Sequence, residues 1–343
     1  MARRKTISDV AKKAGVSVAT VDRVINGRQR VRKETTELVY SAAQDIGYHG
    51  VGLIKQMLRP ELPRMTFGFV LNKQKHDFYQ QLAKKLTTAV EECPLVQGKA
   101  IIEFSPSHTP TDFAHLMHNM AGRVDVMAAT SVMHHDITEA VRELKEKKIP
   151  TFSILNDFAQ GYRTSYVGVD NMKVGRLASW MIASSATSQG KVAIVVGGHR
   201  WHGHELREMG FRSHFREYSP NFQILDTLIN LETRKLTYET VIDLLHRHKD
   251  LRGLYFAGGG MEGAVDALRE ERLPGEISVI VPELTDVSKR ALSDRFLTMS
   301  ISTPIDSLCR DVVALMVKSK LNQSPNLLGE YFLEPQIYLP ESV

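Results

Sequence analysis

Gly258-Gly259-Gly260-Met261-Glu262-Gly263 has the spacing G-x-G-x-x-G, follows the apolar run Leu254-Tyr255-Phe256-Ala257 and opens a helical pattern, and Glu283 stands 20 residues past Gly263. Such a turn brings backbone N–H groups at a helix N-terminus close to an anion, and an acidic residue at that distance can take a ribose hydroxyl, so the spacing alone fits a dinucleotide site. Its place in the chain argues otherwise. A nucleotide-binding half puts this turn first in its domain, whereas only one or two strand patterns remain after residues 277–281. The favoured reading is a glycine-rich loop in which Gly258 and Gly259 touch a small ligand through their backbone, with dinucleotide binding as the alternative. His199, Trp201, His202 and His204 crowd the loop after the strand pattern at 191–196. A His-x-His pair can bind zinc, but no second carboxylate or Cys stands at ligand spacing, so no metal is expected. Trp201 suits stacking on the apolar face of a sugar, His202 a bond to a hydroxyl, and Glu205 a brace for Arg207. Asp77 and Phe78, Asn156 and Asp157, and Glu283 each follow a strand pattern. Asp170 and Asn171 end a strand and precede a helix, which fits caps as well as ligand contacts. No G-x-S-x-G elbow, G-K-[ST] loop or H-E-x-x-H occurs, so no catalytic residue and no cofactor are assigned, and a binding protein is expected rather than an enzyme.

The elements that must carry these residues are strand runs at 66–71, 100–104, 124–129, 151–155, 165–169, 191–196, 222–228, 253–256, 277–281 and 296–301, alternating with helical patterns. That alternation predicts an α/β body of parallel sheet with helices on both faces. About ten strands are too many for one compact sheet, so two doubly wound lobes are expected, with ligand in the crevice at the carboxyl ends of the strands. A final strand-like run covers 330–339, followed only by Pro340-Glu341-Ser342-Val343.

The N-terminus is patterned for different chemistry. Residues 1–60 hold 12 Lys/Arg against 5 Asp/Glu, while the whole chain is only +5, so the remainder is close to neutral. A basic head on a neutral body fits phosphate binding with counterion release. Thr6-Ile7-Ser8-Asp9 has the form of a capping box, and Val10, Ala11 and Ala14 then share one helix face. Gly15 ends that helix, Val16 plugs the turn, Ser17 caps a second helix, and Val21, Val24 and Ile25 form its apolar stripe up to Asn26-Gly27. A third helix is predicted over 33–46 with Leu38, Ala42 and Ile46 inward and Gly47 as its stop. Three short helices with a tight first turn make a helix-turn-helix unit whose second helix enters the major groove N-terminus first. Arg23 can fork onto guanine, Val18 and Ala19 can meet thymine methyls, and Ser17 suits a phosphate.

Thr6-Ile7-Ser8-Asp9-Val10-Ala11, Ala14-Gly15-Val16-Ser17, Thr20-Val21, Arg23-Val24-Ile25-Asn26 and Ile46-Gly47-Tyr48 together resemble the DNA-binding domain of the lactose-repressor (LacI/GalR) family of transcription regulators. The resemblance implies a DNA surface of Thr6, Ser17, Val18, Ala19, Thr20, Asp22, Arg23, Asn26 and Arg32. Asp22 departs from the small Ser common in that family. It would repel phosphate unless it pairs with Arg23 or accepts from a cytosine amine, and a solvated carboxylate is the alternative. The resemblance also implies a hinge helix after Tyr48 that folds only on DNA, with Leu58, or Met57 one register away, wedged into the minor groove. Gly50 and Gly52 would keep it unfolded when free, and a plain linker up to Pro60 and Pro63 is the alternative.

Tyr166-Val167-Gly168-Val169-Asp170-Asn171 and His204-Glu205, with Arg207, Gly210, Phe211 and Arg212, are similar to the family's effector core, itself related to periplasmic sugar-binding proteins. Arg207 then falls on the family's effector-contacting arginine, and a guanidinium there suits vicinal hydroxyls or a carboxylate. The glycine loop lacks the Asn-Asp common in the family. The expected organisation is a helix-turn-helix domain over 1–49, a hinge helix or linker over 50–63, and a two-lobed effector-binding and dimerisation domain over 64–343. The expected partners are a palindromic double-stranded DNA operator, a sugar or polyol effector and a second copy of the chain. A reader of this type needs two copies about one DNA turn apart, and the short tail leaves no room for the leucine heptads that make tetramers in the family.

At 343 residues, 43% hydrophobic and 24% charged, the composition is that of a folded multidomain protein. Two cysteines, Cys93 and Cys309, provide no disulfide framework. No apolar run of about 18 residues and no signal-peptide pattern occurs, so no membrane partner and a cytoplasmic location are expected. A solute-binding protein or a nicotinamide-dependent enzyme on the same scaffold is the alternative reading.

Overall fold

The computed structural model describes residues 5–26, 31–57, 62–107, 109–321 and 329–343. The chain divides into two compact units, Met1–Pro63 and Arg64–Val343.

The first unit contains α1 (Ile7–Ala14), α2 (Val18–Asn26), α3 (Lys33–Asp45) and α4 (Val51–Met57). The Asp9 carboxylate accepts from the Thr6 N–H at 2.8 Å and the Thr6 hydroxyl at 2.9 Å, which fixes the start of α1. Gly15 ends that helix at φ +66°, a conformation that costs glycine nothing, and the Val16 N–H returns to the Ala11 carbonyl. The Ser17 hydroxyl accepts from the Thr20 N–H at 3.1 Å and so starts α2. Val10, Ala11, Val21, Val24, Val39, Ala43, Tyr48 and Ile54 form the core. One expectation is corrected. Leu38 is 57% exposed, and Val39, Ala42 and Ala43 take the inward positions, because the packed face of α3 lies one residue further round the helix. The stretch after Tyr48, expected as a hinge helix or a linker, forms α4. Ile54 is fully buried in the same core as Tyr48, and Gly50 lies so close under the Tyr48 ring that a Cβ would stand 2.6 Å from it. That burial offsets the poor helix propensity of the glycines. Leu58 and the side chain of Met57 lie outside the described residues.

The second unit has two lobes. The first contains β1 (Arg64–Leu71), α5 (Asp77–Glu91), β2 (Gln97–Phe104), α6 (Pro110–Ala121), β3 (Val126–Ala129), α7 (His135–Glu146), β4 (Thr151–Ile154) and β5 (Ser165–Val169). The chain then enters the second lobe with α8 (Asn171–Ser185), β6 (Lys191–Val196), α9 (His202–Tyr218), β7 (Gln223–Ile224), β8 (Leu228–Ile229), α10 (Arg234–Arg247), β9 (Leu251–Phe256), α11 (Met261–Glu271), β10 (Ser278–Pro282), α12 (Asp286–Ser293) and β11 (Met299–Ser302). It returns to the first lobe for α13 (Ile305–Lys320) and β12 (Gly329–Leu333) and crosses a third time to end on β13 (Gln336–Tyr338). Strand orders are β12-β5-β4-β3-β1-β2 and β13-β11-β10-β9-β6-β7, with β8 also on β6, and every pairing is parallel except β13 on β11. Each sheet buries both faces, the first under α5 and α13 on one side and α6 and α7 on the other, the second under α10, α11 and α12 opposite α8 and α9.

Two strand expectations are revised. The 222–228 run is two short strands, because Arg212 takes the Leu225 carbonyl at 3.2 Å and the Thr227 hydroxyl at 2.7 Å at the break between them. The 330–339 run is likewise two strands, one in each lobe, parted at Pro335, which has no N–H for a ladder. Among the described residues no helix is long and apolar enough to cross a membrane.

Candidate DNA interface and effector cleft

In the head, Val21 and Val24 turn one face of α2 into the core, and the opposite face is left to solvent. Ser17, Val18, Ala19, Arg23 and Asn26 are exposed there, and Val18, an aliphatic side chain, is 48% exposed. Thr20 is half-buried, its hydroxyl 2.8 Å from that of Ser17. Asp22 accepts from the Asn26 amide at 2.8 Å, one helical turn on, and makes no described bond to Arg23. Arg23 is thus left to its surroundings. Thr6 caps α1, and exposed Arg32 caps α3 through its carbonyl, which takes the Thr36 N–H.

In the body, a cleft of about 870 Å³, counting space that opens to solvent, lies between the lobes. The first lobe contributes Lys73, His76, Phe78, Tyr79, Leu155 and Asn156; the second contributes Trp201, His204, Arg207, Glu232, the turn Gly258-Gly259-Gly260, Glu283 and Thr303, with Asn171 at the first crossover. Lys73, Leu155, Glu232 and Glu283 all hold left-handed backbone, with φ of 45°, 65°, 53° and 61°. Non-glycine residues are rarely kept there, and such strain gathers at ligand sites.

Arg207 is fixed from behind. Its Nε donates to Asn171 Oδ1 at 2.7 Å and one Nη to the Ala257 carbonyl at 2.8 Å, which leaves the rest of the guanidinium facing the cleft. Its position depends on the contact of α8 with α9, where Gly175 and Gly210 let the backbones touch; a Cβ on Gly210 would stand 2.1 Å from the Met172 carbonyl. Glu283 accepts from the Thr303 hydroxyl at 2.8 Å and the Thr303 N–H, yet burial outweighs these bonds and the nearby Arg207, and its carboxyl is pushed up to about 7. Glu232 is the reverse case. Burial would raise it, but Lys73, His204 and the Gly259 N–H together hold it at about 2. Burial lowers His204 to about 4 against the pull of Glu232. Among the described residues His76 Nδ1 is buried without a hydrogen-bond partner.

Of the residues expected at the site, the cleft brings together Phe78, Asn156, Trp201, Arg207, Gly258, Gly259 and Glu283. Asn156 is already engaged, accepting from the Gly203 N–H at 2.8 Å and donating to the Ser131 carbonyl. Three expectations fail. Asp157 is buried in an ion pair with Arg163, with further bonds from Ser153 and Gln160, and does not line the cleft. Asp77 is the first residue of α5 and opens onto a neighbouring groove beside Asp306. His202 lies 3.6 Å from Glu205 and 3.4 Å from Gln160, so Glu205 sits beside His202 rather than Arg207, and it is His204, two residues on and therefore on another face of α9, that reaches the cleft. Asp170 caps α8, while Asn171 holds Arg207. The glycine turn is filled from inside: the Glu232 carboxylate takes the Gly259 N–H at 2.8 Å, and a Cβ on Gly258 would meet both His204 and Glu232. An anion of the protein sits where a dinucleotide's phosphates would have to lie. Lys73, His76, Tyr79, His204, Glu232 and Thr303 were not expected. The strand-end rule that picked Phe78 reaches Lys73 and His76 as well, but no pattern in the sequence marks Glu232.

Residues 67–321 match the family model of the periplasmic binding protein domain, and residues 6–50 match that of bacterial regulatory proteins, lacI family. The chain belongs to the LacI/GalR family of bacterial transcription regulators. Relatives of this LacI/GalR regulator include the HTH-type transcriptional regulator DegA of Bacillus subtilis, 25% identical over 81% of both chains. The regulator GalS of Salmonella typhimurium is 23% identical over 91% of this chain and 89% of its own. The sucrose operon repressor of Lactococcus lactis is 28% identical over 56% of each. The regulator's body shares its fold with a solute binding protein of Actinobacillus succinogenes solved with bound D-allose, at a TM-score of 0.73, 17% identity, and coverage of 81% of this chain and 98% of that one.

Proposed function

We propose that this regulator is a homodimeric repressor that reads a palindromic operator with the exposed face of α2 and releases or grips it according to a sugar or polyol held between the lobes. It would act in the cytoplasm, where its DNA lies. The observation that carries the reading is the cleft itself: Trp201 and Phe78 supply apolar walls, and Arg207, Asn171, His76, Glu232 and Glu283 supply donors and acceptors at short spacing, the pattern that suits a ring carrying several hydroxyls. The relatives support it, since one is a sucrose operon repressor and the shared body fold binds D-allose in a solute receptor. Binding that differs between two lobe arrangements shifts their populations, and the head's grip on DNA follows.

The test is a melting screen of the full chain against neutral sugars, polyols and sugar acids. A ligand at 100 times its Kd raises stability by about 2.7 kcal/mol, which a melting shift reports directly. Arg207→Ala should lose that shift while its DNA affinity without effector stays as in the parent. An unaltered shift in Arg207→Ala would remove Arg207 from the site, and no shift with any compound would refute the sugar reading.

A further inference from the structure

Lys73 Nζ donates to Glu232 Oε2 at 2.6 Å. Lys73 stands in the loop after β1 in the first lobe and Glu232 between β8 and α10 in the second, and among the described residues no other ion pair spans the cleft. Both side chains are largely withdrawn from solvent, at 21% and 13% exposure. Glu232 is rigidly aimed. Its Oε1 takes the Gly259 N–H at 2.8 Å, its own N–H goes to Asn230 Oδ1 at 2.9 Å, and Asn230 is tied in turn to the Gly259 carbonyl and the Thr237 hydroxyl. The two residues are also among those held in left-handed backbone, so the fold maintains strain to make them meet.

We propose that the Lys73–Glu232 pair is a latch between the lobes, which favours their closed arrangement and which a ligand in the cleft must exchange for its own bonds. Opening the lobes gives up the pair's bond and its attraction in the low-dielectric cleft while water rehydrates both ions, so what holds the lobes together is the surplus of the pair over that hydration. A hydroxyl can accept from Lys73 and donate to Glu232, so a polyhydroxylated molecule replaces both halves of the pair, while an apolar one replaces neither. The ligand class rests on the reading of the cleft as an effector site; the latch itself does not.

The test therefore uses neither ligand nor DNA. Spin labels on one exposed residue in each lobe of the full chain report the interlobe distance. Glu232→Gln keeps an acceptor for the Gly259 N–H and removes only the charge, so it should fold and should raise the long-distance population about tenfold. Lys73→Met should do the same, the two changes together should add nothing further, and Lys73→Arg should keep the parent distribution. If Glu232→Gln melts as the parent does and its distance distribution is unchanged, the latch does not exist. Should Lys73→Met fail to fold, Glu232→Gln against the parent decides alone. Wider distances in Glu232→Gln with no ligand found in the screen would uphold the latch and sink the sugar reading; unchanged distances with ligand binding intact would do the opposite.

Discussion

Arg23 stands on the solvent face of α2 with its neighbour Asp22 already engaged by Asn26, and among the described residues nothing engages its guanidinium, which suits a fork onto a guanine edge. Arg23→Ala should cost roughly 1–3 kcal/mol at the preferred site and relax the preference at one base pair. Equal weakening on all duplexes in the same titration would make it a phosphate contact instead. In the body, Glu283 ties pH to stability. Its carboxyl is raised from an ordinary 4.5 to about 7, chiefly by burial, so the folded chain holds this proton after the unfolded chain has released it. The contribution is fully present below pH 4.5 and is lost as pH rises through 7. Glu283→Gln, which retains an acceptor for Thr303, lacks that loss. Its melting temperature should gain on the parent's as pH rises from about 5 to 8, and parallel curves would show that the carboxyl is ionised throughout.

Positioning of these groups belongs to the elements. Gly175 and Gly210 bring α9 against α8 with no side chain between them, and Arg207 lies one turn before Gly210 on the same helix. Gly210→Ala should push the helices apart, cost roughly 1–3 kcal/mol in denaturant unfolding, and weaken effector binding about tenfold through Arg207. Full effector affinity in a destabilised Gly210→Ala would show that Arg207 is held by Asn171 and Ala257 alone. How far the sequence could be read differs from element to element. Period-3.6 stripes and the cap at Thr6 fix the head's helices, and β-rich runs fix most strands, because both are local signals. Leu38 and Val39 are equally apolar, so only the packing of α3 on its neighbours chooses between them. His202 and His204 share one loop motif, and their separation needs the rotation of α9. Glu232 enters the cleft because a two-residue strand, β8, turns its loop back over the glycine turn, and Asp157 leaves it because Arg163 completes a buried pair. The first is a long-range fact that no spacing along the chain contains; in the second, Arg163 stands only six residues past Asp157, but the turn that brings them together leaves no periodic signal.

At the scale of the molecule, charge and chemistry are divided between the units. The head holds the basic excess and the exposed face of α2, while the near-neutral body holds a polar cleft bridged by the Lys73–Glu232 pair and by the Gly203 N–H on Asn156. Such a division suits a protein in which one unit binds phosphate and bases and the other senses a neutral solute. Three chain crossings between the lobes allow them to move about a common hinge, and a dimer would convert that motion into a change of spacing between two heads. The most direct measurement is a titration of the full chain against the duplex it selects from a random pool, followed by fluorescence anisotropy, with and without the compound that raises its melting temperature. The expected result is a two-fold symmetric site, two chains bound per duplex, and an affinity that the compound changes by tenfold or more. An asymmetric or absent site preference, or a binding curve the compound leaves in place, would contradict it.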